Sequence, residues 1–136
     1  MKMQYFIQGG DFSAGGRAST EVKSIIKQFN ISPDKIRRIA IALYEAEMNV
    51  VAHAFKGKMD VDLRPEYIRV VFLDEGPGIE DIDKAMEEGF STASDEVRQM
   101  GFGAGMGLPN IKKNCDEMLL SSIPGKGTRL EIKVIF

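Results

Sequence analysis

Cysteine and histidine are almost missing from this chain of 136 residues: it has one of each, Cys115 and His53. A single cysteine excludes an internal disulfide framework and fits a reducing compartment. One histidine and one cysteine leave too few ligands for a structural zinc cluster. Cys115 itself reads as a small buried apolar residue. No apolar run approaches the roughly 18 residues that a membrane helix needs, and the N-terminus MKMQYFIQGGDF lacks the apolar core of a signal peptide. No strong charge of either sign is present. The 18 basic and 20 acidic residues leave −2 at pH 7, which argues against a generally basic nucleic-acid binder. The expected setting is the cytoplasm, with neither nucleic acid nor membrane as a partner.

What remains is an ordinary soluble mix, 43% hydrophobic and 28% charged, in a length suited to one domain over 1–136. Glycine is the exception. Of 14 glycines, seven lie from Gly76 to Gly107. A cluster of that kind suggests a site built from backbone rather than loops spread along the chain.

Periodicity gives the element order. Residues 2–8 read as a strand and 14–29 as a helix. Ser32-Pro33-Asp34 is a helix start, with a capping hydroxyl, a proline in the first turn and an early acid. That helix should run to about His53, burying Ile36, Ile39, Ala40, Leu43, Ala46 and Val50. Residues 58–64 and 67–73 form a hairpin of strands. Residues 80–88 give a short helix, and 89–105 an irregular lid or binding loop. A helix over 107–115 and a second hairpin, 117–123 with 128–135, complete the chain. Strands that come in adjacent pairs point to an α/β two-layer sandwich. Its sheet is mixed but mostly antiparallel, with helices on one face.

Four constellations carry chemistry. Glu45 and Asn49 project from one helix face, with His53 a further turn along. A carboxylate there can orient or deprotonate a hydroxyl, and an amide oxygen suits Mg²⁺. Glu47 falls on another face and reads as a surface charge. Asp74-Glu75-Gly76-Pro77-Gly78 follows an apolar strand; its carboxylate can accept from an exocyclic amine, and its glycines let backbone approach a flat ring. Gly101, Gly103, Gly105 and Gly107 alternate and feed a helix at Leu108, a pattern for anion binding through backbone N–H groups. The Walker ending is missing, and no strand immediately precedes the glycines as a dinucleotide fingerprint requires. Gly125-Lys126-Gly127-Thr128 adds a hairpin with one hydroxyl. Taken singly, each has a plainer reading: a solvated helix face, a turn, a flexible loop, a hairpin.

Taken together and in this order, they resemble the GHKL (Bergerat-fold) ATP-binding superfamily. Glu45-x-x-x-Asn49 is similar to its N box, Asp74-x-Gly76-x-Gly78 to its first glycine box, Gly101 to Gly107 to its second, and Thr128 to the threonine of its last. A stand-alone domain of this size resembles the anti-sigma-factor serine/threonine kinases. Within them, Asp81 to Met86, Gly89-Phe90-Ser91-Thr92 and Gly105 to Pro109 look most like the stressosome switch kinases. The segment Asp95-Glu96-Val97-Arg98-Gln99-Met100 is longer than expected in their lid.

The resemblance implies ATP and Mg²⁺ as cofactors. It makes Glu45 the general base and Asn49 the metal ligand. Asp74 would take the adenine amine with Thr128 in support, and Gly76 and Gly78 would line the base. Gly103, Gly105, Gly107 and Leu108 would hold phosphate, with His53 on the same side. It implies a STAS-domain anti-sigma-factor antagonist as substrate, a sigma factor or phosphatase as further partner, and a homodimer. The alternative is a non-catalytic, ATP-gated anti-sigma factor.

Overall fold

The computed structural model describes residues 1–87 and 107–136. In chain order these form β1 (Lys2–Gln8), α1 (Arg17–Ile26), α2 (Pro33–His53), β2 (Lys56–Leu63), β3 (Tyr67–Glu75), α3 (Ile82–Ala85), α4 (Gly107–Lys113), β4 (Glu117–Ile123) and β5 (Gly127–Ile135). The strands make one five-stranded sheet in the order β1-β2-β3-β5-β4. Every pairing is antiparallel, so no parallel component of a mixed sheet exists among the described strands. A single-helix crossover favours parallel neighbours. Here two helices separate β1 from β2, and the chain enters β2 running the other way.

Alternation gives the sheet one dry face. Met59, Val61 and Leu63 of β2, Ile68, Val70 and Phe72 of β3, and Leu130, Ile132 and Val134 of β5 all point into the core. They meet Val22 and Ile26 of α1, Ile39, Leu43, Ala46 and Val50 of α2, and Ile111 of α4 in one cluster. Ile36 and Ala40, the other members of the expected α2 stripe, are only half-buried. Burial of this kind contributes about 25 cal/mol per Å² of apolar surface and is the main force holding helices to sheet. The opposite face is wet and charged, with Arg69 and Arg129 both bonded to Glu131 at 2.6 and 3.0 Å. The architecture is therefore a two-layer α/β sandwich with its helices on one side.

α2 starts as its sequence dictates: Ser32 Oγ accepts the Lys35 N–H at 3.3 Å and Pro33 occupies the first turn. α1 is shorter than the 14–29 pattern suggests. Its N-cap, Gly16, has φ of 93°, a left-handed conformation that glycine adopts without steric cost. Gly16 has no side chain to cap the helix, and a residue from another element does so. Glu47 of α2 accepts the N–H groups of Gly16 at 2.9 Å, Ala18 at 3.3 Å and Ser19 at 2.8 Å. This corrects the sequence reading, in which Glu47 was a surface charge: it is 2% exposed. A buried carboxylate is costly unless its oxygens are satisfied, and the free N–H groups of a helix start are a ready source of donors.

Candidate functional site

Glu45, Asn49 and His53 stand one turn apart on α2, each half-buried. Gly107, the first residue of α4, lies against Asn49. A Cβ placed there would come within 2.9 Å of Asn49 Oδ1 and 3.3 Å of Nδ2, so any side chain at Gly107 would displace the amide. Leu108 follows in the same turn and packs on the core. No hydrogen bond or ion pair ties Glu45 or Asn49 among the described residues. Burial pushes the His53 imidazole below its ordinary value, favouring the neutral ring at pH 7.

Asp74 sits inside β3 and not just after it, because the β2 pairing continues through Gly57↔Asp74 to Lys56↔Glu75. Gly57 allows this close approach: a Cβ there would be 2.9 Å from Val50 Cγ1 and 3.2 Å from Asp74 Cβ. Across the sheet, β5 brings Thr128 to Asp74, and the Thr128 N–H donates to Asp74 Oδ1 at 3.1 Å. At Gly127 a Cβ would overlap the Asp74 carbonyl oxygen, so this contact needs glycine. Asp74 is half-buried, and burial pushes its carboxyl above the ordinary 3.8, partly offset by the Thr128 N–H. Its Oδ2 has no donor among the described residues.

The turn after Asp74 is fastened to the β4–β5 hairpin at three points. Gly76 N–H donates to the Lys126 carbonyl at 2.9 Å and Gly125 N–H to the Pro77 carbonyl at 2.7 Å. Ile79 N–H donates to Ser122 Oγ at 2.7 Å. Gly78 has φ of 73°, and a Cβ there would lie 2.6 Å from the Ile123 carbonyl. Gly76 packs on the end of α2, where a Cβ would meet Ala54 Cα at 2.9 Å and the His53 carbonyl at 3.4 Å.

The fold thus gathers Asn49, His53, Asp74, Gly76, Gly78, Gly107 and Thr128 at one end of the sandwich, with Glu45 a turn further along α2. Gly103, Gly105, the other residues of the glycine run and the expected lid over 89–105 lie outside the described residues. Ser122 was missed. Its signal was present, since the Pro124-Gly125-Lys126-Gly127 turn fixes a register in which Ser122 faces Thr128. Glu47 was misread for the converse reason. It lies four residues after Leu43 and four before Val51, inside the apolar face, and a charge there points to a buried partner.

The open oxygen of Asp74 beside Thr128 can accept from a ligand that presents an amine. A family model described as histidine kinase-, DNA gyrase B- and HSP90-like ATPase matches residues 34–136. The serine/threonine-protein kinase RsbT of Bacillus subtilis is 33% identical over 113 residues, covering 80% of this chain and 79% of its own. An anti-sigma F factor of Caldanaerobacter subterraneus is 34% identical over 116 residues, 82% of this chain and 78% of its own. Among solved structures, the SiaB-SiaC complex of Pseudomonas aeruginosa aligns over 98% of this chain and 89% of the matched one, with a TM-score of 0.61 and 10% identity. At that identity the likeness speaks for the fold alone. The match over 34–136 includes both the helix of Glu45 and Asn49 and the strands of Asp74 and Thr128, and the chain belongs to the histidine kinase-, gyrase B- and HSP90-like (GHKL) ATPase family.

Proposed function

We propose that this protein is an ATP-dependent serine/threonine kinase of a bacterial partner-switching system, and that its substrate is a STAS-domain anti-sigma-factor antagonist. Family membership supplies the ATP. The curated relatives, one named a serine/threonine kinase and others anti-sigma F factors, support the rest. The observation that carries the reading is Asp74: a half-buried carboxylate with one oxygen bonded to Thr128 N–H and the other open, at the same end of the fold as Asn49.

In this reading Asp74 Oδ2 accepts from the adenine amine, Thr128 supports it, and Gly76 and Gly78 let the chain lie against the ring. Gly103, Gly105 and Gly107 offer backbone N–H groups to phosphate, with the first turn of α4 at Leu108 beyond them and His53 on the same side. Asn49 would hold Mg²⁺ through its amide oxygen. Among the described residues no three His, Cys, Asp or Glu side chains converge on a metal position. A single amide ligand still fits Mg²⁺, which keeps several waters and binds few protein groups besides phosphate oxygens. The ion, when bound, neutralises phosphate charge. Glu45 orients the serine or threonine hydroxyl of the partner and takes its proton. Phosphoryl transfer asks mostly for positioning and charge compensation, and the chain's part is to supply both.

No helix among the described residues is long and apolar enough to cross a membrane. We place the kinase in the cytoplasm, with a sigma factor or phosphatase as its second partner and a homodimer as its working form. The second reading, a non-catalytic ATP-gated anti-sigma factor, draws only on the name anti-sigma F factor carried by relatives at the same level of identity, a name that speaks of sigma-factor binding and not of catalysis. Incubation with labelled ATP and a STAS-domain protein separates the two. Transfer of label to the partner, lost in Glu45→Gln while ATP binding persists, is the expected result. Full-rate transfer by Glu45→Gln would remove the base assignment, and tight ATP-dependent sigma-factor binding without transfer would favour the second reading.

A further inference from the structure

Ser122 has so far only fastened the turn at Ile79, yet its hydroxyl also touches Thr128 beside Asp74. Three polar atoms surround Ser122 Oγ: Ile79 N at 2.7 Å, the Gly127 carbonyl oxygen at 2.8 Å and Thr128 Oγ1 at 2.9 Å. A serine hydroxyl has one proton and two lone pairs. Ile79 N–H can only donate, so it takes one lone pair. The Gly127 carbonyl can only accept, so it takes the proton. One lone pair is left for Thr128, whose hydroxyl must therefore donate. Every hydrogen-bonding position of Ser122 is then filled, and the direction of each bond is fixed.

The consequence reaches the ligand through Thr128. With its proton committed to Ser122, Thr128 Oγ1 turns only lone pairs to the site. Beside it, Asp74 Oδ1 already receives the Thr128 N–H and Oδ2 is open. Both side chains at this end are acceptors. At position 6 an amino purine presents a donor to such a pair, where an oxo purine in the same pose presents another acceptor, its N1–H and 2-amino donors lying further along the ring edge. We propose that Ser122 is a positioning residue that sets the proton direction of Thr128 and thereby makes the site select adenine over guanine nucleotides. This deepens the ATP-site reading above and rests on it.

The arrangement predicts opposite effects on two ligands, which a merely structural role would not produce. In Ser122→Ala the Thr128 hydroxyl loses its acceptor and becomes free to donate into the site. ATP binding should weaken and GTP binding should strengthen, so that the ratio of their dissociation constants narrows roughly fivefold to tenfold. Ser122→Thr retains the hydroxyl and should restore the ratio. Purine ribonucleoside triphosphate, which lacks the 6-amino group, should lose less affinity relative to ATP on Ser122→Ala than on the wild type. Isothermal titration with each nucleotide measures all of these, and a thermal melt records stability alongside. If Ser122→Ala does not fold, Ser122→Cys, with a weak donor and acceptor in nearly the same volume, is read the same way. An unchanged ATP-to-GTP ratio in a folded variant overturns the inference and leaves the ATP site standing. A wild-type protein that binds neither nucleotide overturns the ATP site and this inference with it.

Discussion

Glu47 and Asp74 are both acidic side chains drawn out of solvent, but the fold employs them in opposite ways. Glu47, at 2% exposure, accepts three backbone N–H bonds from the start of α1, and both its oxygens are engaged. Asp74, half-buried, accepts one such bond and keeps the other oxygen open, with its carboxyl pushed above the ordinary range by burial. Glu47 is spent on joining α1 to the helix that carries Glu45 and Asn49. Asp74 is held in a less comfortable state with capacity in reserve. Burial alone does not make a carboxylate a candidate for function; burial with an unfilled hydrogen-bonding position does.

Replacing each residue tests that contrast. The largest effect should come from Glu47→Ala. Three N–H groups at a buried helix start would lose their acceptor, costing about 3 kcal/mol of stability, or more if water cannot enter. Urea denaturation measures it, and a loss below about 1 kcal/mol would mean the junction is not what holds α1 in place. The amide replacements sharpen the comparison, because Glu47→Gln and Asp74→Asn are the same chemical change. In Glu47→Gln an NH₂ group must face backbone donors, so stability should fall by about 1–2 kcal/mol. In Asp74→Asn the amide oxygen can still accept from Thr128 while the NH₂ faces the open side. Folding should be unimpaired, whereas ATP affinity should drop roughly tenfold to a hundredfold by calorimetry.

Titration bears on Asp74 next. The folded-state value of Asp74 lies above its unfolded one, so the folded form holds a proton that the unfolded form has released. Its contribution to stability is present at low pH and is lost as pH rises through the raised value. Ligand binding runs the other way, since the open oxygen must be charged to accept well. ATP affinity should therefore fall on acidification at a higher pH than an ordinary aspartate would give, and Asp74→Asn should remove that step. The smallest effect belongs to His53. Its folded value lies below the ordinary 6.5, so stability is present above that pH and is lost as pH falls through the lowered value. His53→Gln should flatten this part of the stability profile in a series of melts.

Much of this was legible because each signal was local. Ser32-Pro33-Asp34 starts α2 through a hydroxyl and a ring placed within one turn of the helix they begin. The two hairpins announce themselves through Arg64-Pro65-Glu66 and Pro124-Gly125-Lys126-Gly127. Glu45 and Asn49 share a face because helical spacing demands it, and Asp74 with Gly76 and Gly78 stand in one short stretch. What was not legible depends on groups far apart in the chain. Glu47 has its partners 28 to 31 residues away, and no spacing rule within α2 could supply them. Asp74 and Thr128 were paired by family resemblance alone; the direct bond between them comes from the antiparallel pairing of β3 with β5, which joins residues 54 apart.

The sequence by itself determined the elements, the apolar stripes and the kinds of chemistry available, since caps, turns and periodicities act over a few residues. It was enough to mark Asp74 and Thr128 as chemically interesting. Only the tertiary structure decided which polar groups would be saturated. A carboxylate or hydroxyl has a fixed capacity for hydrogen bonds, and whether the fold fills it is settled by backbone brought from elsewhere. That accounting separates Glu47 from Asp74, and it turns Ser122 from one more strand serine into the residue that orients Thr128.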